Sequence, residues 1–338
     1  MSRLLLTWYG KMKKALRMIS LLLVVVLVLN IFTIANTKAV QVSKPKTIIL
    51  DSANKNDYKS IQEQIDKAPI GSIILLNSGE YDEILSINKK IILQGENRDS
   101  TIINPISAKN KYAIRLGSLG IILKNLSISN GGPGLYTTGV KITSSNVRIE
   151  NCNIYDTPVG ISIFASENII SNCDFWGCKD EGIALIGTSL SDCRGNIISN
   201  CRFHDNCDGI ELQYAEENKI IDCEIFDNYH TGIDAISEAN DGNEIINCKI
   251  YNNSVHGIYL HSSSNNIISS CMFSNNLNGH IVEAKNSRNN EVINSIYEHE
   301  LNNLREMLLN FLEFFQKRYS KARIIIDRIF ETYKNLRF

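Results

Sequence analysis

A chain of 338 residues with a formal net charge of −1 carries no charge surplus of the kind that drives nucleic-acid binding. With 43% hydrophobic and 21% charged residues, and 20 glycines and 5 prolines in no low-complexity tract, it is globular rather than disordered or fibrous. The first 39 residues stand apart. Arg3, Lys11, Lys13, Lys14 and Arg17 precede an apolar run from Ile19 to Ala35 that only Ser20, Asn30 and Thr33 interrupt. Cations followed by an apolar stretch are the pattern of an export signal, and Thr37-Lys38-Ala39 offers a small-residue cleavage site. The run falls slightly short of the roughly 20 residues that span a bilayer, so two readings stand, a cleaved signal or an N-terminal membrane anchor. Either places the remainder outside the cytoplasm, secreted or at the cell surface.

Residues 40–296 form the next unit. Asp57-Tyr58-Lys59-Ser60-Ile61-Gln62 leads a short helix to Ala68, and strand-like segments follow at Ile73-Ile74, Gly79-Glu80-Tyr81, Ile91-Ile92-Leu93 and Thr101-Ile102-Ile103. A repeat then sets in. Asn151-Cys152-Asn153-Ile154 returns as Asn172-Cys173-Asp174-Phe175, Asn200-Cys201-Arg202-Phe203, Asp222-Cys223-Glu224-Ile225, Asn247-Cys248-Lys249-Ile250 and Ser270-Cys271-Met272-Phe273. The cysteines lie 21 to 28 residues apart. Each unit is followed by a glycine (Gly160, Gly182, Gly209, Gly232, Gly257, Gly279) and closes on an asparagine (Asn168, Asn196, Asn218, Asn243, Asn266, Asn290). A fixed short unit with variable loops is the signature of a solenoid, with three short strands per coil.

Alternation along each strand turns the cysteine and the following Ile or Phe inward. The residue before the cysteine sits at a bend that favours the left-handed region, which Asn tolerates. Stacked Asn side chains there are expected to bond from coil to coil. The glycine relieves crowding where the chain enters its next strand. Residues 297–338 break the repeat. Leu301, Leu304, Leu308, Phe311, Phe315, Ile326, Ile329 and Tyr333 follow a helical stripe, and Lys317, Arg318, Lys321, Arg323, Arg328, Lys334 and Arg337 make its second half basic. This extension is expected to cap the last coil, with its basic part either a solvated tail or lying on a membrane or another subunit. Six of the nine cysteines form an inward column of small apolar side chains. Cys178, Cys193 and Cys207 fall in loops, and Cys178 and Cys207, in comparable loops of successive coils, are expected to pair as a disulfide.

The coils resemble the repeats of the pectate-lyase-like superfamily of right-handed parallel β-helices, including its NosD-type and sugar-binding and sugar-hydrolysing branch, over about residues 48–296. The resemblance implies an all-β, single-stranded parallel β-helix with an N-terminal capping helix and a C-terminal helical extension. It also implies a substrate groove on the Gly-Ile-x-Leu strands. The outward residues there are Ser162 and Phe164, Ala184 and Ile186, Glu211 and Gln213, Asp234 and Ile236, Tyr259 and His261, flanked by Asp180, Glu181, Asp208, His230 and His256. Glu211 and Asp234 are expected as neighbours on adjacent coils about 4.8 Å apart, where like charges raise each other's pKa or hold a cation. Candidate catalytic residues are Glu211, Asp234, His256, Tyr259, His261 and His230. Asp208, Glu211 and Asp234 are candidate calcium ligands. Asp208 and Gln213 are candidate substrate contacts. A second outward column of Tyr155, Trp176, His204, Phe226 and Tyr251, on the strand after the Asn bend, suits either stacking on sugar faces or packing under loops or the C-terminal helix.

Asn206-Cys207-Asp208-Gly209-Ile210-Glu211 resembles the Asn-Thr-Asp-Gly-Ile-Asp strand of polygalacturonases, and Val255-His256-Gly257 their Gly-His-Gly. His230-Thr231 stands where those enzymes carry Asp-Asp, and no Arg-Ile-Lys follows Gly279. The pectin methylesterase segments are missing. Three functions are compatible with these residues: an exported polysaccharide-active lyase, epimerase or glycosidase; a non-catalytic carbohydrate-binding scaffold; and a NosD-type metal-handling accessory protein.

Overall fold

A computed structural model describes residues 44–51, 60–106, 111–134, 137–188, 193–237 and 239–297. The signal or anchor segment and the C-terminal helical stripe lie outside the described residues. The chain divides into Met1–Lys44 and Pro45–Phe338, and the coils belong to the second unit. Among the described residues no helix is long and apolar enough to cross a membrane.

The described strands wind into three parallel sheets of 11, 10 and 9 strands, in the single-stranded solenoid expected. Each complete coil contributes one strand to each of these sheets, and Cys193–Arg194 pairs with Ala215–Glu216 outside them. Most are three residues long, with a central residue inward and its neighbours half-exposed, as in Ile169–Ser171, Arg202–His204 and Lys249–Tyr251. Ile and Phe recur at the inward position because branched and aromatic side chains fill a pleated surface well. Ile149, Ile170, Ile198, Ile220 and Ile245 form one inward column, and Ile154, Phe175, Phe203, Ile225, Ile250 and Phe273 another, all 0–2% exposed. Phe175 and Phe203 stack with centroids 4.7 Å apart. Each fully buried Ile or Phe contributes about 1.5–3 kcal/mol of burial free energy.

Tight corners demand left-handed backbone, and the repeat supplies it. Asn151, Asn172, Asn200, Asp222, Asn247 and Ser270 have φ of 52–56°, as their position before the cysteine implies. The six ladder cysteines are buried behind them. The continuous amide ladders run elsewhere. One is the closing column: the backbone N–H of Asn168, Asn196, Asn218, Asn243 and Asn266 each donates to the side-chain oxygen of the next Asn at 2.7–3.0 Å. The other is Asn206, Asn228, Asn253 and Asn276, bonded the same way at 3.1–3.2 Å. Their side-chain NH₂ groups also donate to carbonyls of the coil before, as Asn228 Nδ2 does to Phe203 O at 3.2 Å. Each amide thus satisfies the turn backbone of two coils inside the core.

The glycine column has its own constraint. A Cβ at Gly160, Gly182, Gly209 or Gly232 would lie 2.2–2.8 Å from the carbonyl oxygen of the next coil's glycine, a clash no rotamer relieves. At the other end of the chain the seven-residue helix α1 (Ile61–Lys67) is too short to persist alone. Ile61 and Ile65 bury into the core, and Glu83 accepts the backbone N–H groups of Ile61 and Gln62 at 2.9 and 3.2 Å. The Gln62 side-chain amide in turn pairs with both backbone groups of Ser86, so α1 takes the place of a neighbouring strand beside Leu85–Ile87.

The expected Cys178–Cys207 disulfide is absent, and both thiols are free. Cys178 occupies the amide-ladder position itself. Its N–H donates to Asn206 Oδ1 at 3.0 Å, and its sulfur lies inward, 3.6 Å from Thr157 Oγ1. Cys207 is one residue further on and half-exposed. A one-residue offset turns two side chains to opposite faces, so the sulfurs cannot meet. Cys193 is likewise buried, in the short strand Cys193–Arg194.

Two measurements check this packing. In denaturant titrations, Asn228→Ala should cost about 2–4 kcal/mol, because it strands a buried N–H and carbonyl, and Phe203→Ala about 3–5 kcal/mol. Arg202→Ala, on the exposed side of the same strand as Phe203, should cost under about 1 kcal/mol. Equal losses from the three would contradict the inward register. Thiol titration of the denatured, unreduced chain should find all nine cysteines free, and a count of seven would restore a bridge.

Candidate functional site

The third sheet carries the site. Its strands pair so that Ser162, Ala184, Glu211, Asp234, Tyr259 and Val282 form one outward column. Glu211 and Asp234 are direct neighbours on adjacent coils, as their spacing from Gly209 and Gly232 implies. Just ahead of the glycine column Glu181 stands beside Asp208. The glycines let the backbone bend here, which brings the residues on either side of them to one surface. Asp180, Glu181, Asp208, Glu211 and Asp234 thus converge on three consecutive coils.

This face is less open than an outer face was expected to be. Glu181, Asp208, Glu211 and Asp234 are each only 5–7% exposed. Buried carboxylates lose hydration and gain protons. Burial, reinforced by the charges of Glu211 and Asp180, pushes the Glu181 carboxyl up to about 9, so Glu181 is a neutral acid at pH 7. Burial and the charge of Asp208 push Asp234 up to about 7, against the pull of His230. Asp208 and Glu211 are also raised by burial, but hydrogen bonds from His230 and Gln213 oppose the rise. Glu211 accepts from Gln213 Nε2 on one side and meets the Glu181 carboxyl on the other.

Asp208 is held tightly. Its Oδ1 accepts the Thr231 N–H at 2.7 Å and lies 2.8 Å from His230 Nδ1. Asp234 Oδ2 is 3.9 Å from the same nitrogen, while Asp234 Oδ1 is buried with no hydrogen-bond partner. Asp208, His230 and Asp234 bring their ligand atoms within 4.8 Å of one another. Glu211 is not part of this group, so His230 replaces it in the expected carboxylate set for calcium. On the next coil His256 stacks on Tyr259 at 5.1 Å, and Tyr259 on His261 at 6.5 Å. Burial lowers the His256 pKa, which keeps that imidazole neutral and able to accept a proton.

The sequence pattern leaves Glu181 among the flanking loop residues. The structure places it in the strand Glu181–Ile186, against Glu211. Its signal was the stacking rule itself, since Glu181 precedes Gly182 by one residue as Asp208 precedes Gly209.

The aromatic column forms on the second sheet, on the strands that follow the Asn bend. Tyr155 stacks on Trp176 at 4.7 Å and 3°, Trp176 on His204 at 6.1 Å, His204 on Phe226 at 5.0 Å and Phe226 on Tyr251 at 5.0 Å. The rings occupy one another's faces and turn their edges outward.

The sequence matches the family model described as a right handed beta helix region over residues 90–240 and again over 187–303. No curated protein matches it by sequence. Among solved structures, pectate lyase Pel9A is similar with a TM-score of 0.55 and 15% identity, over 73% of this chain and 79% of that one. Alginate lyase from Paenibacillus sp. str. FPU-7 is similar with a TM-score of 0.53 and 13% identity, over 75% of this chain and 97% of that one. The enzymatically active domain of bacteriophage CBA120 tailspike protein 2 gives 0.56 and 13%, over 70% of this chain and 40% of that one. At these identities the likeness is one of fold. With most of its coils inside the family match and its strands wound into three parallel sheets, the chain belongs to the right-handed β-helix family.

Proposed function

We propose that this protein is exported and binds and cleaves a polysaccharide at or outside the cell surface, with Glu181 and Glu211 as its acid–base pair. One observation carries the reading. A carboxyl that burial and the Glu211 charge push up to about 9 lies against one that burial also raises, but whose rise hydrogen bonds from Gln213 and Glu181 oppose. Adjacent carboxyl groups whose proton affinities are driven apart can divide acid and base roles, one holding the proton that the other lacks. The names of solved structures with this fold, a pectate lyase and an alginate lyase among them, support a glycan substrate. A polymer lying along the solenoid meets a new coil about every 4.8 Å, so successive sugars would pass Glu211, Asp234 and Tyr259 in turn.

In this scheme Glu181 donates its proton to the glycosidic oxygen and Glu211 acts as the base that activates water. Asp208, His230 and Asp234 hold the neighbouring unit. A second reading draws on the neutral, partly buried His256 stacked on Tyr259. There His256 or Tyr259 removes a proton beside a uronate carboxylate, with His230 or His261 near the leaving oxygen, as in elimination or epimerisation.

The full chain incubated with a panel of neutral and anionic polysaccharides separates the readings. Hydrolysis releases reducing ends alone, whereas elimination also gives the absorbance of an unsaturated uronate. Glu211→Gln and Glu181→Gln should each lower turnover at least about hundredfold while the glycan still binds. Binding without turnover in the unaltered protein would leave a carbohydrate-binding scaffold. Protonation of Glu181 has a second readout. In the fold it keeps its proton to about 9, against an ordinary value of 4.5. The unfolded chain therefore releases that proton first, and stability falls as pH rises between those two values. Stability of Glu181→Gln should vary less with pH over that window, and equal slopes would refute the raised pKa.

A further inference from the structure

We propose that Asp208, His230 and Asp234 form a binding site for a divalent transition ion, with zinc the best fit, and that calcium is a poor occupant. The site shares these residues with the proposed sugar groove but does not rest on the Glu181–Glu211 pair, since it follows from the three side chains alone.

Three observations carry it. First, the donor atoms already converge, with Asp208 Oδ1 2.8 Å and Asp234 Oδ2 3.9 Å from His230 Nδ1. Ligands in a tetrahedral shell at 2.0–2.2 Å from zinc stand about 3.4 Å from one another, between these two separations. Second, the Asp234 side chain is only 8% exposed, and its Oδ1 has no hydrogen-bond partner. A buried carboxylate oxygen left unpaired is costly, and a cation is the partner that offsets most of that cost. Third, the ligands are pre-set from behind. The Thr231 N–H fixes the Asp208 carboxylate at 2.7 Å, the kind of outer-shell bond that orients metal ligands.

The donor set decides the metal. Calcium gathers six to eight oxygens, whereas an imidazole nitrogen with two carboxylates suits zinc and its first-row neighbours. Three protein ligands leave a fourth position open. The His230 side chain is 46% exposed, so that position is reachable from solvent.

The test is calorimetric titration of the purified full chain with zinc chloride and, separately, with calcium chloride. One zinc per chain, bound at least tenfold more tightly than calcium, is expected. His230→Ala should weaken zinc at least tenfold, and His230→Asp should reverse the preference toward calcium. Cys207→Ser and His204→Ala should leave zinc binding unchanged, since a half-exposed thiol and a histidine on another sheet are the obvious rival ligands. Calcium binding as tightly as zinc to the unaltered chain would overturn the proposal without recourse to any variant. So would zinc binding that survives His230→Ala or disappears with Cys207→Ser.

Discussion

Everything in this fold depends on the pairing of each coil with the next, residue on residue, along three parallel sheets. That pairing makes every side chain the neighbour of its counterpart one coil away. Like therefore stacks on like, and each column must be a residue type that tolerates its own copy. Ile, Phe and Cys do so through apolar contact. Asn does so because its amide is both donor and acceptor, so a column of Asn closes its own hydrogen bonds and those of two turns at once. Glycine does so at the bend, where one coil's carbonyl sits in the space a Cβ would need.

The carboxylates are the exception to that rule. An acidic residue stacked on another in a buried column is electrostatically unfavourable, and nothing in the packing requires it. The ladders satisfy themselves without Glu181, Asp208, Glu211 or Asp234. The fold relieves the conflict by local means. Glu181 keeps a proton, His230 lies against Asp208, and Gln213 donates to Glu211. These arrangements give features of the kind that acid–base and metal sites use: carboxyls raised to unequal degrees and an unsatisfied oxygen on Asp234.

The repeat made the architecture readable from sequence, because Asn-Cys-x-Ile and the following glycine recur with fixed internal spacing. The inward column and the Glu211–Asp234 pairing both follow from it. The second amide ladder was equally accessible but hidden by its changing identity. The position five residues after each ladder cysteine holds Thr157, Cys178, Asn206, Asn228, Asn253 and Asn276, so only its later members look like a column. Overlooking it shifted Cys178 by one residue and produced a disulfide that the register forbids. The roles of His230 and Glu181 were harder to see. Both lie on the turn side of the glycine, where simple alternation fails, and only the bent backbone shows which carboxylate each one meets.

Whether the stacked carboxylates hold their protons unequally is tested most directly by a pH titration of the glutamate side-chain carboxyl carbons by NMR. Comparison with Glu181→Gln assigns the Glu181 signal. A transition near pH 9 is expected for Glu181. A Glu181 transition near 4.5, its ordinary value, would mean that neither burial nor the neighbouring Glu211 holds the proton, and the acid–base pair would be lost with it.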